Sequence, residues 1–217
     1  GMNEVVIKLI GNYSYQTTHC LGEGVYGKVY EGMERDTKEK VAIKKVDLNT
    51  FNNDKYLENA IFSEIYLLKR FNHPNIVKFK DVLSSKNSLY IVTEYCRHGD
   101  LKELIKKKRF REDEAFEVIR QIVCGFSQLV QEKIIHRDLK PANILIHEGV
   151  YTIGDFGFAK YVDNFGSQML KSCVGSPIYM APQLLERTPY TTKCDIWAIG
   201  IIFYEMLFGS PPWKARD

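Results

Sequence analysis

Four side chains with the means to handle phosphate and magnesium fall within a short reach of this sequence. Ile135–His136–Arg137–Asp138–Leu139–Lys140–Pro141–Ala142–Asn143 is followed, beyond one apolar stretch, by Asp155–Phe156–Gly157. The first run reads as a non-helical connection between apolar segments. Asp138 and Asp155, the amide of Asn143 and the ammonium of Lys140 supply hard oxygen ligands for a metal, a base, and a cation for transferred charge. Either piece alone also reads as a polar turn capped by Asp or Asn.

Such residues need elements to position them. Tyr15–Leu21, Lys28–Met33 and Glu39–Val46 are rich in β-branched and aromatic residues and read as three strands. Between the first two lies Gly22–Glu23–Gly24–Val25–Tyr26–Gly27–Lys28–Val29. A strand follows these glycines where a dinucleotide fingerprint would open a helix. The run therefore reads as a hairpin whose backbone amides can approach phosphates, although a tight hairpin also needs glycines. In Val41–Ala42–Ile43–Lys44, alternation sends Ala42 and Lys44 to one side of the strand, where the lysine needs an anion. The segment from Asp54 to Phe71 reads as a helix. Leu57, Ala60, Ile61, Leu67 and Leu68 share one face, with Glu64 in the middle of it. A carboxylate on an apolar stripe must pair, neutralise, or reach water at the rim, and Lys44 is its natural partner. Glu112 to Gln131 forms a second amphipathic helix. Its Ala115, Phe116, Ile119, Ile122, Val123, Phe126 and Val130 read as core that holds the Asp138 loop.

Taken together, these motifs resemble those of the protein kinases, from about Tyr15 to Trp213. The resemblance implies an α+β, bilobal fold with an antiparallel β-sheet small lobe at 15–95 and a mainly helical large lobe at 96–217, after an N-terminal extension at 1–14. It implies ATP and Mg2+ as cofactors and transfer of the γ-phosphoryl group to a protein hydroxyl. Lys44 becomes the α/β-phosphate ligand paired with Glu64, and Asp138 the acceptor of the hydroxyl proton. Lys140 stabilises charge on the γ-phosphoryl group, while Asn143 and Asp155 hold magnesium. Leu21, Gly22, Gly24, Gly27, Val29 and Ala42 become ATP contacts. Leu89–Tyr90–Ile91–Val92–Thr93–Glu94–Tyr95–Cys96 resembles the strand and hinge over which adenine lies. Thr93 would guard the rear of the pocket, and the backbone of Glu94 and Cys96 would bond the base. Leu145 is a further ATP contact, and Asp100 a ribose acceptor as well as a helix N-cap. Lysine at position 140 is the serine/threonine form, and Ser176 corresponds to the hydroxyl that contacts Asp138 and Lys140.

The resemblance also makes 155–183 an activation loop, with Ser172 as a phosphosite that Arg137 would receive and an upstream kinase as its writer. Phe158 favours serine as the acceptor. The motifs Asp155–Phe156–Gly157–Phe158–Ala159–Lys160 and Val174–Gly175–Ser176–Pro177–Ile178–Tyr179–Met180–Ala181–Pro182 look most like the autophagy-initiating kinases. The alternative is a non-catalytic nucleotide-binding pseudokinase scaffold, or an inactive fragment.

Two features depart from the family pattern. Gln183 stands where the Ala–Pro–Glu triplet carries its carboxylate. Asp195–Ile196–Trp197–Ala198–Ile199–Gly200 resembles the start of the central large-lobe helix, with Asp195 bracing the backbone of His136 and Arg137. From Ile196 to Phe208 that helix is apolar nearly all round, the mark of a buried helix, yet the sequence stops at Asp217. The expectation is a truncated large lobe that exposes an apolar patch near Ile201–Phe208 and self-associates.

Composition narrows the classes. With 217 residues, 45% of them hydrophobic, the chain has ample length for a core. A net charge of +3 without a long basic face gives no reason to expect nucleic acid. Lys106–Lys107–Lys108–Arg109 reads as a solvated helix end. The five cysteines, without a C-x-x-C pair, look like reduced thiols of an intracellular protein. Gly1–Met2 looks like a tag scar before a native start, and neither signal peptide nor membrane span is visible. A cytoplasmic protein is expected, with the nucleus open as well.

Overall fold

The computed structural model describes residues 5–23, 27–51, 55–156, 160–161, 177–182 and 191–214. The chain divides into two units, Gly1–Phe71 with Lys78–Cys96, and Asn72–Val77 with Arg97–Asp217.

The first unit is a six-stranded antiparallel sheet. Its strands are β1 (Ile7–Ile10), β2 (Tyr13–Glu23), β3 (Gly27–Glu34), β4 (Lys40–Asp47), β5 (Phe79–Ser84) and β6 (Ser88–Glu94), in the order β1-β2-β3-β4-β6-β5. The sequence reading begins its first strand at Tyr15. The structure adds β1 ahead of it, paired so that Ile10 faces Tyr13. Ile7 and Leu9 are exposed there, so no burial pattern marked the strand. Along β4 the side chains alternate. Val41 and Ile43 enter a core with Tyr13, Tyr15, Tyr90 and Val92, which leaves Ala42 and Lys44 to the other face. Helix α1 (Lys55–Arg70) buries Ile61, Glu64, Ile65, Leu67 and Leu68, while Ala60 is half-buried. The side chain of Leu57 lies outside the described ones.

The second unit contains α2 (Leu101–Lys107), α3 (Glu112–Gln131), β7 (Ile134–Ile135), β8 (Ile144–His147), β9 (Val150–Ile153), β10 (Lys160–Tyr161) and α4 (Lys193–Phe208). The side chain of Asp100 caps α2 by accepting the Glu103 amide at 3.0 Å. Helix α3 buries Ala115, Val118, Ile122, Gly125, Phe126 and Leu129. Two of the residues expected in its core are instead exposed, Phe116 at 63% and Val123 at 44%. The buried stripe runs through 118, 122, 125 and 129, and Phe116 and Val123 lie to one side of it. An apolar residue on a helix is not bound to the buried face.

Gly125 lets α3 lie against segment 72–77, since a Cβ there would sit 2.6 Å from the Asn75 carbonyl oxygen. Gln121 ties the same region together. Its Oε1 accepts from the Asn75 side chain at 3.2 Å and the Tyr151 amide at 2.8 Å, and its Nε2 donates to the Gly149 carbonyl at 3.1 Å. Helix α4 buries Ile201, Ile202 and Met206, and exposes Ile196, Trp197, Tyr204 and Phe208. The exposed apolar side chains thus begin a turn before the expected patch, and Ile201 is not among them. No helix among the described residues is long and apolar enough to cross a membrane.

Candidate active site

Within the second unit, β7 delivers the chain into 136–143 and a 3-10 turn, Pro141–Asn143, ends that loop. The loop is mostly buried, with Arg137, Lys140 and Ala142 half-buried, and is held from behind. Asp195, in the first turn of α4, accepts the His136 amide at 2.8 Å and the Arg137 amide at 3.0 Å. Burial pushes the Asp195 carboxyl up, against the pull of His136 and of these two amide bonds. Arg137 adopts a φ of 72°, a left-handed backbone costly for a side-chain-bearing residue and maintained by such outside bonds.

His136 is fully buried and works as a spacer between two strands of the site. Its Nδ1 accepts the Asp138 amide at 3.1 Å, so the ring proton lies on Nε2, which meets the Gly154 carbonyl at 2.9 Å. The edge of the ring packs on Phe156, with centroids 5.1 Å apart. The Gly154 amide donates in turn to the Asn143 carbonyl at 2.8 Å. The backbone before Asp155 is therefore fixed to both ends of the loop. Asp155 itself takes a φ of 47°.

Asp138, Lys140 and Asn143 come together. Lys140 Nζ is 3.6 Å from Asp138 Oδ2. Asn143 Nδ2 donates to the Asp138 carbonyl at 2.7 Å and to Asp138 Oδ2 at 3.3 Å. With the amide hydrogens committed, Oδ1 is the coordinating atom that Asn143 has left to offer. Among the described residues no three His, Cys, Asp or Glu side chains gather as a metal cage. The Asn143 amide oxygen and the Asp155 carboxylate are hard oxygen donors of the kind a small hard cation would take. The chemistry of these two donors fits magnesium.

In the first unit, Lys44 Nζ lies 3.0 and 3.2 Å from the two oxygens of Glu64, with both residues buried. Ala42 stands opposite Glu31 and Thr93, and Lys44 opposite Val29 and Ile91. Gly22 pairs with Val29. At Gly27 a Cβ would lie only 2.1 Å from the Lys45 carbonyl oxygen, so glycine is required for that strand contact. Leu21 is exposed, and Thr93, Glu94 and Cys96 are half-buried. The Glu94 amide and carboxylate both bond to the Lys78 backbone, at 2.9 and 3.0 Å. Asp100 and Leu145, both in the second unit, form an isolated bridge. Gly24, Phe158, Ser172, Ser176 and Gln183 lie outside the described residues.

Sequence reasoning passed over one buried acid. Glu205 on α4 accepts the Tyr179 hydroxyl at 2.5 Å and is 8% exposed. Burial raises its pKa, opposed by that bond, and burial raises the pKa of Tyr179 as well. A lone glutamate in an otherwise apolar run was the available signal.

A family profile described as "Protein kinase domain" matches residues 15–217. The chain belongs to the protein kinase family. Several of its relatives are named as serine/threonine-protein kinases. Serine/threonine-protein kinase atg1 of Dictyostelium discoideum is 39% identical over 219 residues, covering 96% of this chain and 32% of that protein. Hormonally up-regulated neu tumor-associated kinase of Homo sapiens is 39% identical over 217 residues, covering 96% and 30%. Serine/threonine-protein kinase ATG1c of Arabidopsis thaliana is 34% identical over 215 residues, covering 97% and 28%. The chain thus spans about a third of the length of these curated relatives. The α+β kinase architecture accords with the match, a sheet unit beside a mainly helical one in sequence.

Proposed function

We propose that this chain is the catalytic domain of an ATP- and magnesium-dependent protein serine/threonine kinase, with its small lobe at 15–95 and its large lobe at 96–217. The observation that carries the reading is the loop in which Asp138, Lys140 and Asn143 are hydrogen-bonded or ion-paired together, with Asp195 bracing its backbone. The buried Lys44–Glu64 pair supports it independently.

Asp138 receives the proton of the substrate hydroxyl and orients its oxygen. A bond forms from that oxygen to the γ-phosphorus of ATP, the bond from phosphorus to the β,γ-bridging oxygen breaks, and ADP departs. Lys140 holds the charge on the transferred group, and Lys44, fixed by Glu64, orients the α- and β-phosphates. Asn143 and Asp155 would hold magnesium, whose positive charge would offset the negative charge of the phosphates. Gly22, Gly24 and Gly27 bring backbone amides to the phosphates. Leu21, Val29, Ala42, Thr93, Leu145 and the backbone of Glu94 and Cys96 receive the adenine side, and Asp100 the ribose. Ser176 orders Asp138 and Lys140, and Phe158 favours serine as the acceptor.

Phosphorylation of Ser172 by an upstream kinase, received by Arg137, would regulate the activity. The site of action is the cytoplasm, and the exposed apolar side chains of α4 give a surface for self-association.

Phosphorylation of a generic protein substrate with magnesium and ATP tests the reading, comparing the chain with its Asp155→Ala variant. Turnover by the wild type and its loss in the variant are expected. Equal rates refute the catalytic assignment, and nucleotide binding without turnover favours a non-catalytic scaffold.

A further inference from the structure

Two imidazoles away from the Asp138 loop hold each other's backbone. His98 lies in the connection that leads into α2, and His147 ends β8, both within the second unit. The Arg97 amide donates to His147 Nδ1 at 3.3 Å, and the Glu148 amide donates to His98 Nδ1 at 3.0 Å. Each ring accepts the amide of a residue next to the other ring. The two rings face one another with centroids 6.2 Å apart. Main-chain bonds run between the same segments, from the His98 amide to the Ile146 carbonyl at 2.9 Å and from the Ile146 amide to the Gly99 carbonyl at 2.8 Å. In the same stretch Asp100 stands opposite Leu145 in an isolated antiparallel bridge.

The direction of the bonds restricts what the rings can do. Because Nδ1 accepts in both, the proton of each neutral ring lies on Nε2. A ring that ligates a metal through Nε2 carries its proton on Nδ1, which here would confront an amide donor. The pair is therefore built to accept two backbone amides rather than to hold a metal.

We infer that His98 and His147 are positioning residues for the nucleotide, which keep Asp100 in register with Leu145 by clamping the 97–100 connection to β8. This rests on the proposed function, in which Asp100 receives the ribose and Leu145 the adenine side. Neither ring touches the reacting atoms. The loss of either ring frees one amide and loosens the register of both nucleotide contacts, so the effect falls on nucleotide affinity before it falls on turnover.

The test titrates magnesium–ATP into the whole chain by calorimetry, for the wild type, His98→Leu, His147→Leu and His147→Asn. Asparagine places Oδ1 near the position of Nδ1 and can accept the Arg97 amide. Each leucine variant is expected to bind ATP about 2- to 10-fold more weakly, the range set by one modest hydrogen bond. The KM for ATP should rise while kcat at saturating ATP holds, and His147→Asn should recover most of the loss. Unchanged affinity in both leucine variants overturns the inference and leaves the nucleotide reading standing. A loss that asparagine does not rescue, accompanied by a lower thermal midpoint, also overturns it, because it marks a purely structural role. A wild type that binds no ATP refutes the nucleotide reading and this inference with it.

Discussion

The carboxylate of Asp195 accepts the backbone amide of His136 at 2.8 Å, across a gap of 59 residues in the sequence. Its other oxygen takes the Arg137 amide, and with it the left-handed turn that precedes Asp138. The acid therefore acts as a template for backbone, not as a reacting group. In Asp195→Asn one amide donor would face the Nδ2 donor of the new side chain. The expected cost is about 1–3 kcal/mol of stability for the unsatisfied buried amide. Phosphoryl transfer should fall by up to about 100-fold through misplacement of Asp138. Denaturant unfolding and steady-state kinetics on the same preparation check both numbers.

The Lys44–Glu64 pair makes a second prediction. Each ion is buried, so removing either takes from the other a charged partner at 3.0 Å. Lys44→Met and Glu64→Gln should each destabilise the fold, by up to about 3–5 kcal/mol, the upper range for breaking a buried ion pair. Lys44→Met with Glu64→Leu should recover much of that stability, because an apolar pair buries neither charge. Activity should not return in the double variant, since the proposed phosphate ligand is gone. Thermal unfolding paired with a phosphorylation assay separates these two effects, and recovered activity would contradict the role given to Lys44.

How far the sequence disclosed these features follows from their periodicity. Lys44 and Glu64 were legible because strand alternation and helix spacing each place one charge on an inward face, leaving two buried ions that need one another. The loop from Ile135 to Asn143 was legible because its residue types are dense and ordered. The His98–His147 clamp was not, because its bonds join ring nitrogens to backbone amides of neighbouring residues, which no side-chain pattern encodes. Strand β1 was missed because Ile7 and Leu9 give an edge strand no buried face to alternate with. Phe116 and Val123 were placed in the α3 core since a stripe drawn through apolar residues alone is wider than the face that packs. Glu205 was legible in principle as the one acid in an apolar run, but its partner Tyr179 lies 26 residues away, outside any helical pattern.

Glu205 itself gives a prediction in pH. Burial raises its carboxyl pKa in the folded chain above the unfolded value. The folded state then binds the proton more tightly than the unfolded state does, so its contribution to stability is fully present below the unfolded pKa. It is lost as the pH rises through the folded pKa. Glu205→Gln can still accept the Tyr179 hydroxyl but has no proton to lose. Relative to the variant, the wild type should therefore lose stability as pH rises from the ordinary glutamate range toward neutrality. Urea unfolding at a series of pH values reads this directly, and parallel profiles for the two proteins would contradict it.

One substitution made at two helical glycines should have opposite signs. At Gly125 an added Cβ would meet the Asn75 carbonyl oxygen at 2.6 Å and the Ile153 side chain at 3.2 Å. The nearer neighbour is backbone, fixed by the bond from the Ile153 amide to the same carbonyl, so α3 itself must move. Gly125→Ala should destabilise by about 1–3 kcal/mol, the range for overpacking a filled interior. It should also disturb the Gln121 contacts one turn earlier and slow phosphoryl transfer, because β9 leads directly into Asp155. At Gly200 on α4 an added Cβ meets no described atom within 4 Å, and the position is exposed. There only the helix-forming tendency changes, and Gly200→Ala should stabilise by about 0.5–1 kcal/mol. The pair is measured by thermal or urea unfolding under one set of conditions. A loss of stability at both positions would mean that the exposed face of α4 around Gly200 is packed against another part of the protein in solution.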